Sequence, residues 1–161
     1  CIAMADGSSR WITGEAARAH VHVARARTEA ILVGGGTLRA DAPRLDVRLP
    51  GIESRSPERW VLTHDAAPVG WRAIADIAAP RSFGDLQYLY VEGGAGAAAT
   101  FLAADMVDRL MIYRAPIVIG GGRPSIGDIG LATLDEAHHR WRPVSRSQLG
   151  SDTLDVYERT R

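Results

Sequence analysis

The chain has 161 residues, of which 46% are hydrophobic and 24% are charged, and its formal net charge is zero. This composition is typical of one soluble globular domain that is large enough to bury a core without disulfides. Balanced charge gives no indication of binding to nucleic acid or membranes, and no apolar run is long enough to span a bilayer. We therefore expect a cytoplasmic protein with neither of these partners.

The residue types in the sequence exclude several kinds of site. All 19 basic residues are arginine, so a lysine Schiff base cannot form within this chain. The single cysteine, Cys1, excludes an internal disulfide and argues against a cysteine-based metal site. His138 and His139 are adjacent and would point in opposite directions on a strand, so they form a poor metal pair. We expect no bound metal.

The first predicted element is a helix over residues 13–28, with Thr13 as a good N-cap residue. Apolar residues at helical spacing predict a buried face, which consists of Ala17, Val21 and Ala24. A neighbouring stripe at the same spacing is polar. We interpret Arg18 and His22 in this stripe as solvated, whereas Arg25 borders the buried face and can point inward.

The densest pattern in the sequence follows this helix. Residues 30–33 form a short apolar run bounded by glycine and predict a buried strand. Three glycines, residues 34–36, come next, and a backbone without side chains can turn sharply and approach a ligand closely. Thr37 can open a helical turn, with Asp41 one turn later and Pro43 ending it.

A loop over residues 49–58 then leads to a predicted strand over residues 59–63. Residues 64–83 contain several prolines and glycines and are expected to be irregular. A weak apolar patch within them predicts one short strand at residues 74–78.

Residues 87–104 predict a second strand–glycine–helix unit, with a strand over 87–91 and an alanine-rich helix from about 97 to 104. Glu92 ends this strand at the edge where ligands bind in parallel α/β sheets. Free N–H groups at helix N-termini favour anions, so both glycine turns are candidate phosphate sites. For three glycines alone, an ordinary tight turn is an equally good interpretation. Neither the G-x-G-x-x-G pattern nor the phosphate-loop pattern is present.

The C-terminal part adds a predicted strand over residues 107–115 and a long loop. Residues 139–145 and 153–159 alternate polar and apolar residues, as an antiparallel hairpin joined around Gly150 would. The whole pattern predicts an α/β fold with a mostly parallel central sheet, helices on both faces and a C-terminal antiparallel hairpin. We expect a single domain over residues 1–161.

Five separated motifs, taken together, are more specific than any one of them. They are Ser9-x-Trp11-Ile12-Thr13; Arg25; ILVGGGTxxADxPxLxVR, which ends at Arg48; Tyr90-Val91-Glu92-Gly93-Gly94; and Pro116 with Gly120. In this order and spacing they resemble the reductase domain of the bifunctional riboflavin-biosynthesis deaminase–reductase family, which has a dihydrofolate-reductase-like fold. The resemblance extends from Cys1 to about Gly122.

The resemblance implies an NADPH-dependent enzyme that acts on a small phosphorylated pyrimidine. The family reduces 5-amino-6-(5-phosphoribosylamino)uracil to its ribitylamino form: the sugar ring opens to a carbon–nitrogen double bond, and hydride from the nicotinamide reaches the sugar C1′. The protein orients the two partners and excludes water. Relatives of this fold often pair, which makes a homodimer through residues 107–115 an open expectation.

The resemblance also implies two sets of site residues. On the substrate side they are Ser9, Arg25, Leu45, Arg48 and Glu92. On the cofactor side they are Trp11, Thr13, Gly34, Gly35, Thr37, Asp41, His64, Gly93, Gly94, Ala95, Gly96, Ala97, Ala98, Ala99 and Thr100. The two arginines suit a dianionic phosphate, because a planar guanidinium can bind it bidentately. Glu92 can accept hydrogen bonds from a uracil edge or its amine, and Trp11 offers a flat apolar wall.

The sequence departs from the family pattern in three ways. A Lys-x-x-x-Ser-Leu-Asp-Gly type segment, the family's first strand, would come just before Cys1. Ala42 replaces the second aspartate after the Ala-Asp motif. The deaminase half, with its His/Cys zinc signature, is not in this sequence.

Two alternative functions stay open. A related reductase of the same fold could act on another pyrimidine or on a pterin, because substrate identity depends on a few side chains. A non-catalytic nucleotide-binding module with this fold is the other alternative, which absence of the first strand would favour.

Overall fold

The computed structural model describes residues 1–79 and 82–161 and divides their strands between two hydrogen-bonded sheets. The elements are, in chain order, α1 Glu15–Arg25, β1 Ala30–Gly34, α2 Gly35–Asp41, β2 Glu58–Leu62, β3 Trp71–Ile74, β4 Leu89–Val91, α3 Ala95–Ala103, β5 Arg109–Arg114, β6 Trp141–Leu149 and β7 Asp152–Arg159, with short 3-10 helices at Glu53–Arg55 and Leu134–Ala137. This order confirms the predicted α/β class. None of the helices described has the length and apolar character that crossing a membrane requires.

Four parallel strands form the first sheet, in the order β3–β2–β1–β4. The central strand β1 has a neighbour on each side, since Leu32 pairs with Trp60 of β2 and with Val91 of β4. A parallel strand that is also covered on both faces has no side exposed to water, which explains the uninterrupted apolar run at residues 30–33. The predicted buried strand is therefore confirmed.

Apolar clusters cover both faces of this parallel sheet. Alternate residues of β1 point to opposite faces. On one face Leu32 packs in a cluster with Phe101 of α3. On the other face Ile31 packs with Leu45, and Leu38 of α2 joins that cluster. Helices therefore contribute to both faces, as the sequence pattern predicted.

Three antiparallel strands form the second sheet, in the order β5–β7–β6. The β6–β7 hairpin turns at Gly150, whose φ of +65° favours glycine, and this confirms the predicted hairpin. The strand β5 pairs with β7. No ladder joins β4 to β5 within the described ranges, so the C-terminal part is a sheet of its own rather than a hairpin added to one central sheet.

The start of α1 differs from the prediction. The helix begins at Glu15 with Gly14 as its N-cap, so the prediction that Thr13 caps it is wrong. The N–H of Gly14 donates a 2.6 Å hydrogen bond to Oδ2 of Asp152, at the start of β7. A carboxylate from a distant element thus accepts from the N-cap N–H, as the N3 side chain of a capping box would. The helix ends at Arg25, three residues before the predicted end at 28.

Other boundaries also shift by a few residues. The strand β3 lies ahead of the predicted strand at 74–78, because its pairing with β2 starts at Trp71. The strand β4 is shorter than the predicted 87–91, and α3 begins two residues before the expected position 97. Pro80 and Arg81, within the stretch expected to be irregular, lie outside the described residues.

The N-terminal residues pack against the glycines at residues 120–122. Ala3 and Arg123 form an isolated antiparallel bridge. A Cβ on Gly122 would lie 2.2 Å from the carbonyl oxygen of Ala3, so this close approach requires glycine. Residues 1–4 therefore contribute a single bridge rather than a strand.

We predict that Asp152→Ala lowers the free energy of unfolding by about 1–3 kcal/mol, because it leaves the N–H of Gly14 without its acceptor. Asp152 is only 1% exposed, so water cannot easily replace the carboxylate. Urea denaturation followed by circular dichroism measures the change. A matched control is Asp128→Ala, since Asp128 also accepts a glycine N–H (from Gly130, at 2.8 Å) but is exposed. Equal losses in the two variants would contradict the capping role.

Candidate functional site

The carboxyl ends of β1 and β4 lie side by side because these strands pair directly. The glycine turns that follow them are in contact: a Cβ on Gly94 would lie 2.7 Å from Oγ1 of Thr37, and a Cβ on Gly34 would lie 3.4 Å from that of Ala97. Gly93 and Gly94 have φ values of +84° and +80°, in the left-handed region that favours glycine. The structure therefore brings together the two segments expected on the cofactor side.

The helix α3 starts at this contact, and its N-cap Gly94 has no side chain to satisfy the first N–H groups. A Cβ on Gly96 would meet no atom within 4 Å, so the first turn borders open space. This is the arrangement of backbone donors that binds anions at helix N-termini. Further along, Ala97 and Ala99 are buried in the core, and the Thr100 hydroxyl donates to the carbonyl of Gly96 at 2.9 Å.

Arg25 and Glu92 form a bidentate ion pair at the same edge. The Nε of Arg25 donates to Oε2 at 2.8 Å and Nη2 donates to Oε1 at 2.5 Å, while Nη1 donates to the carbonyl of Asp46 at 2.9 Å. The Arg25 side chain is 9% exposed and that of Glu92 is 29% exposed. Burial opposes the charge of Arg25, but the hydrogen bonds and charge of Glu92 outweigh it and hold the pKa of Arg25 above its ordinary value.

This pairing differs from the expectation that Arg25 binds a phosphate. Arg25 points inward, as the helix pattern predicted, but its guanidinium binds Glu92 instead of standing free for a phosphate. The fork of Arg25 therefore fixes the orientation of the Glu92 carboxylate.

The loop after α2 has a strained backbone. Ala42 and Leu45 have φ values of +40° and +55°, a backbone conformation that residues other than glycine rarely adopt. Leu45 is nonetheless buried, at 4% exposure, so packing holds this conformation in place. Strain of this kind is concentrated at ligand sites.

Arg48 lies in this loop, and both Arg48 and Arg25 contact Asp46. The Nε of Arg48 is 3.4 Å from Oδ1 of Asp46, the residue whose carbonyl accepts from Arg25. Its backbone N–H donates to Nδ1 of His22 at 3.3 Å. Burial, with the charges of Arg25 and Arg48, lowers the pKa of His22, which favours the neutral ring that can accept this hydrogen bond. The guanidinium of Arg48 is 59% exposed and can turn towards a ligand.

The segment before α1 presents Trp11, whose ring is 73% exposed. The guanidinium of Arg18 lies 4.7 Å from the centre of this ring, and Nη1 of Arg18 donates to the carbonyl of Thr13. Ser9 is exposed in the same segment. Within the described residues, no side-chain hydrogen bond joins Ser9, Trp11 or Thr13 to Glu92.

Two further residues expected on the cofactor side, Asp41 and His64, are exposed. Asp41 is the exposed last residue of α2, and His64 is exposed two residues after β2. A Cβ on Gly35 would lie 3.2 Å from Oγ1 of Thr63, so the first glycine turn packs directly beside the residue that precedes His64.

Two partly buried tyrosines, Tyr90 and Tyr113, have pKa values that burial and the charge of Glu92 raise. Burial raises the pKa of Tyr90 above its ordinary range, and the negative charge of Glu92 and contact with Tyr113 raise it further. Burial also raises the pKa of Tyr113 to about 12, although the influence of the Tyr90 side chain opposes the shift. The hydroxyl of Tyr113 lies 2.8 Å from Nδ1 of His20 on α1. Both tyrosines therefore keep their protons in any ordinary buffer.

Sequence reasoning missed several of these partners. The interpretation of Arg18 and His22 as solvated is wrong, because both are partly buried. Helical spacing from Arg25 could have identified His22, and strand alternation places Tyr90 on the same side as Glu92. No local signal connects His20 with Tyr113, which lies 93 residues away.

The part of the chain that the structure describes contains no group of three or more His, Cys, Asp or Glu side chains placed to hold a metal ion.

Comparison with known proteins shows which family this chain matches. The family model for the RibD C-terminal domain matches residues 1–76 and 83–154. The riboflavin biosynthesis protein RibD of Mycobacterium tuberculosis is 36% identical over 166 residues, which cover 94% of this chain and 49% of that protein. The RibD protein of Corynebacterium ammoniagenes is 39% identical over 142 residues, covering 74% of this chain and 40% of the relative. The chain thus spans about half or less of the length of these relatives.

Solved structures of other proteins have the same fold as this chain. A RibD structure from Acinetobacter baumannii superposes with a TM-score of 0.81 at 23% identity, over 99% of this chain and 54% of that chain. A deaminase/5-amino-6-(5-phosphoribosylamino)uracil reductase structure from Thermotoga maritima has a TM-score of 0.77 at 22% identity, over 99% of this chain and 53% of that one. Together with the family model and the sequence relatives, this shows that the chain belongs to the RibD C-terminal domain family.

Proposed function

We propose that the chain is an NADPH-dependent reductase that converts 5-amino-6-(5-phosphoribosylamino)uracil into its ribitylamino product in riboflavin biosynthesis. The observation that supports this most directly is the position of the Arg25–Glu92 pair, at the same sheet edge as two touching glycine turns. The Arg25–Glu92 pair is suited to binding a pyrimidine, and the glycine turns are suited to binding a dinucleotide. Membership of the RibD C-terminal domain family agrees with both.

The cofactor half of the proposal depends on the glycine turns. Their positive φ values and the open first turn of α3 create a cradle of backbone donors without side chains, which fits a pyrophosphate. In this proposal Gly34, Thr37 and residues 93–97 hold NADPH, and Trp11 covers the nicotinamide. The bound cofactor supplies the hydride, and the protein aligns the two reactants and excludes water.

The substrate half depends on carboxylate and guanidinium groups. Glu92 is held as a carboxylate by Arg25, and its remaining lone pairs can accept hydrogen bonds from the uracil edge or its amine. In this assignment Arg25 is a positioning residue, and Arg48 is the guanidinium free to bind the phosphate. The exposed fraction of Arg48 and its single long contact with Asp46 leave its donors available.

Turnover assays of the full-length natural protein test this function. We expect oxidation of NADPH, followed by the loss of its near-ultraviolet absorbance, only when the phosphorylated pyrimidine is present, and formation of the ribityl product by mass spectrometry. NADH and a pterin serve as comparison substrates. Binding of NADPH and pyrimidine without turnover would contradict the proposal and favour a nucleotide-binding module.

We predict that Arg48→Ala raises the KM for the phosphorylated pyrimidine by about 10- to 100-fold, because a charged hydrogen bond contributes about 1.5–3 kcal/mol. The control is Arg44→Ala, which also loses an ion pair with Asp46 (2.8 Å) but is 77% exposed and has no role in the proposed site. Steady-state kinetics of both variants measure the difference. An unchanged KM in Arg48→Ala would show that another group binds the phosphate.

We predict that Gly94→Ala weakens NADPH binding about tenfold or more, since a left-handed backbone costs a residue with a Cβ about 1–3 kcal/mol. The added Cβ would also clash with Thr37 Oγ1 at 2.7 Å and separate the two glycine turns. Quenching of tryptophan fluorescence measures the Kd. Gly121→Ala is the control, because a Cβ there meets no atom within 4 Å. Equal affinity in the two variants would place the cofactor elsewhere.

A further inference from the structure

We propose that a cavity at the amino ends of β2 and β3 binds a small phosphate ester that carries hydroxyl groups, through Arg59 and Arg72. The cavity has a volume of about 420 Å³, which is within the range of small-molecule sites. Since β1, β2, β3 and β4 are parallel, their amino ends lie at the edge of the sheet opposite the two glycine turns. The proposed ligand site is therefore separate from the reductase site and does not depend on the proposed function.

Arg59 is held at this cavity without an acidic partner. Its guanidinium lies 5.5 Å from the centre of the Trp71 ring, whose face attracts a cation. Gly70, with a φ of +78°, leaves room for it, because a Cβ there would lie 2.9 Å from Nη2 of Arg59. Within residues 1–79 and 82–161, no carboxylate forms an ion pair with Arg59. Neighbouring groups thus fix the guanidinium before a ligand binds, which lowers the entropy cost of binding.

Arg72 borders the same cavity from the other face of the sheet. Its cross-strand partner is Trp60, whereas Arg59 pairs with Trp71, so the two arginines point to opposite faces. The guanidinium of Arg72 lies 4.4 Å from the centre of the buried Trp60 ring, and its Nη2 donates to the carbonyl of Ser82 at 3.2 Å. Because both arginines line the cavity, it extends around the strand ends instead of lying on one face. A ligand there can meet one guanidinium from each face.

The charged groups around the cavity indicate the class of ligand. Two guanidinium groups and the carboxylate of Glu58 line it, which leaves an excess of positive charge. Guanidinium groups bind phosphate oxygens through paired N–H donors, and two of them favour a dianion. Oε2 of Glu58 accepts from Nε1 of Trp60 at 3.1 Å, and Oε1 can accept from a hydroxyl of the ligand. Phosphorylated sugars and nucleotides both carry these groups, so their shared chemistry is that of a hydroxyl-bearing phosphate ester.

The competing interpretation is that the two arginines only cover the tryptophan rings from water. Titration of the full-length protein with ribose 5-phosphate, followed through the indole N–H signals in ¹H–¹⁵N NMR spectra, separates the two. We expect the signals of Trp60 and Trp71 to shift, because Trp60 donates to Glu58 and Trp71 lies against Arg59. The signal of Trp11 reports separately on any binding at the reductase site. Unchanged Trp60 and Trp71 signals would overturn the proposal.

Arg59→Gln should raise the Kd for ribose 5-phosphate, measured from the Trp60 and Trp71 signals, about tenfold or more, because it removes a charged pair of donors. The Kd for NADPH should stay unchanged. The control is Arg55→Gln, which removes the same charge from an exposed residue that does not line the cavity. Equal increases in the Kd of the two variants would indicate general attraction to positive charge and would overturn the site.

Related probes define the ligand within this class. Ribose, which lacks the phosphate, and inorganic phosphate, which lacks the sugar hydroxyls, should each bind at this cavity about tenfold more weakly than ribose 5-phosphate. Equal binding of either one would contradict the proposal. Tighter binding of AMP than of ribose 5-phosphate would identify a nucleotide, and the reverse order a sugar phosphate, and both results support the site. A wild type that binds ribose 5-phosphate here but does not reduce the pyrimidine would contradict the proposed function alone.

Discussion

The buried ion pair between Arg25 and Glu92 is the interaction on which the site depends. It joins the last turn of α1 to the end of β4, across 67 residues of sequence, and its third donor reaches the carbonyl of Asp46 in the loop after α2. A buried guanidinium without a partner is strongly destabilising, so the pair restricts how these three segments can be arranged. Two parallel hydrogen bonds also define an orientation, which a single contact would not.

The second constraint is the absence of side chains where the two glycine turns meet. The Thr37 hydroxyl occupies the space that a Cβ on Gly94 would need, so the halves of the cradle approach each other at backbone distance. Polar groups and bare backbone therefore lie next to each other at one sheet edge. That combination suits a ligand pair in which one partner is held by its phosphates and the other by its ring.

Strands of the C-terminal sheet form hydrogen bonds with α1, the helix that contributes Arg25 to this edge. Asp152 of β7 accepts from the N-cap of the helix, and Tyr113 of β5 reaches His20 one and a half turns later. The helix that contributes Arg25 is thus held at its start and in its middle by strands of the second sheet.

The sequence by itself determined the local elements: the buried strand at 30–33, the glycine turns, the hairpin at Gly150 and the inward direction of Arg25. Periodicity and the conformational demands of glycine act over a few residues, so they can be read without a structure. Only the tertiary structure decided that Arg25 binds Glu92, that Asp152 accepts from the N-cap Gly14 of α1, and that β5 pairs with β7. These contacts join residues far apart in the chain, and their energies depend on burial and geometry that exist only once the sheets have packed.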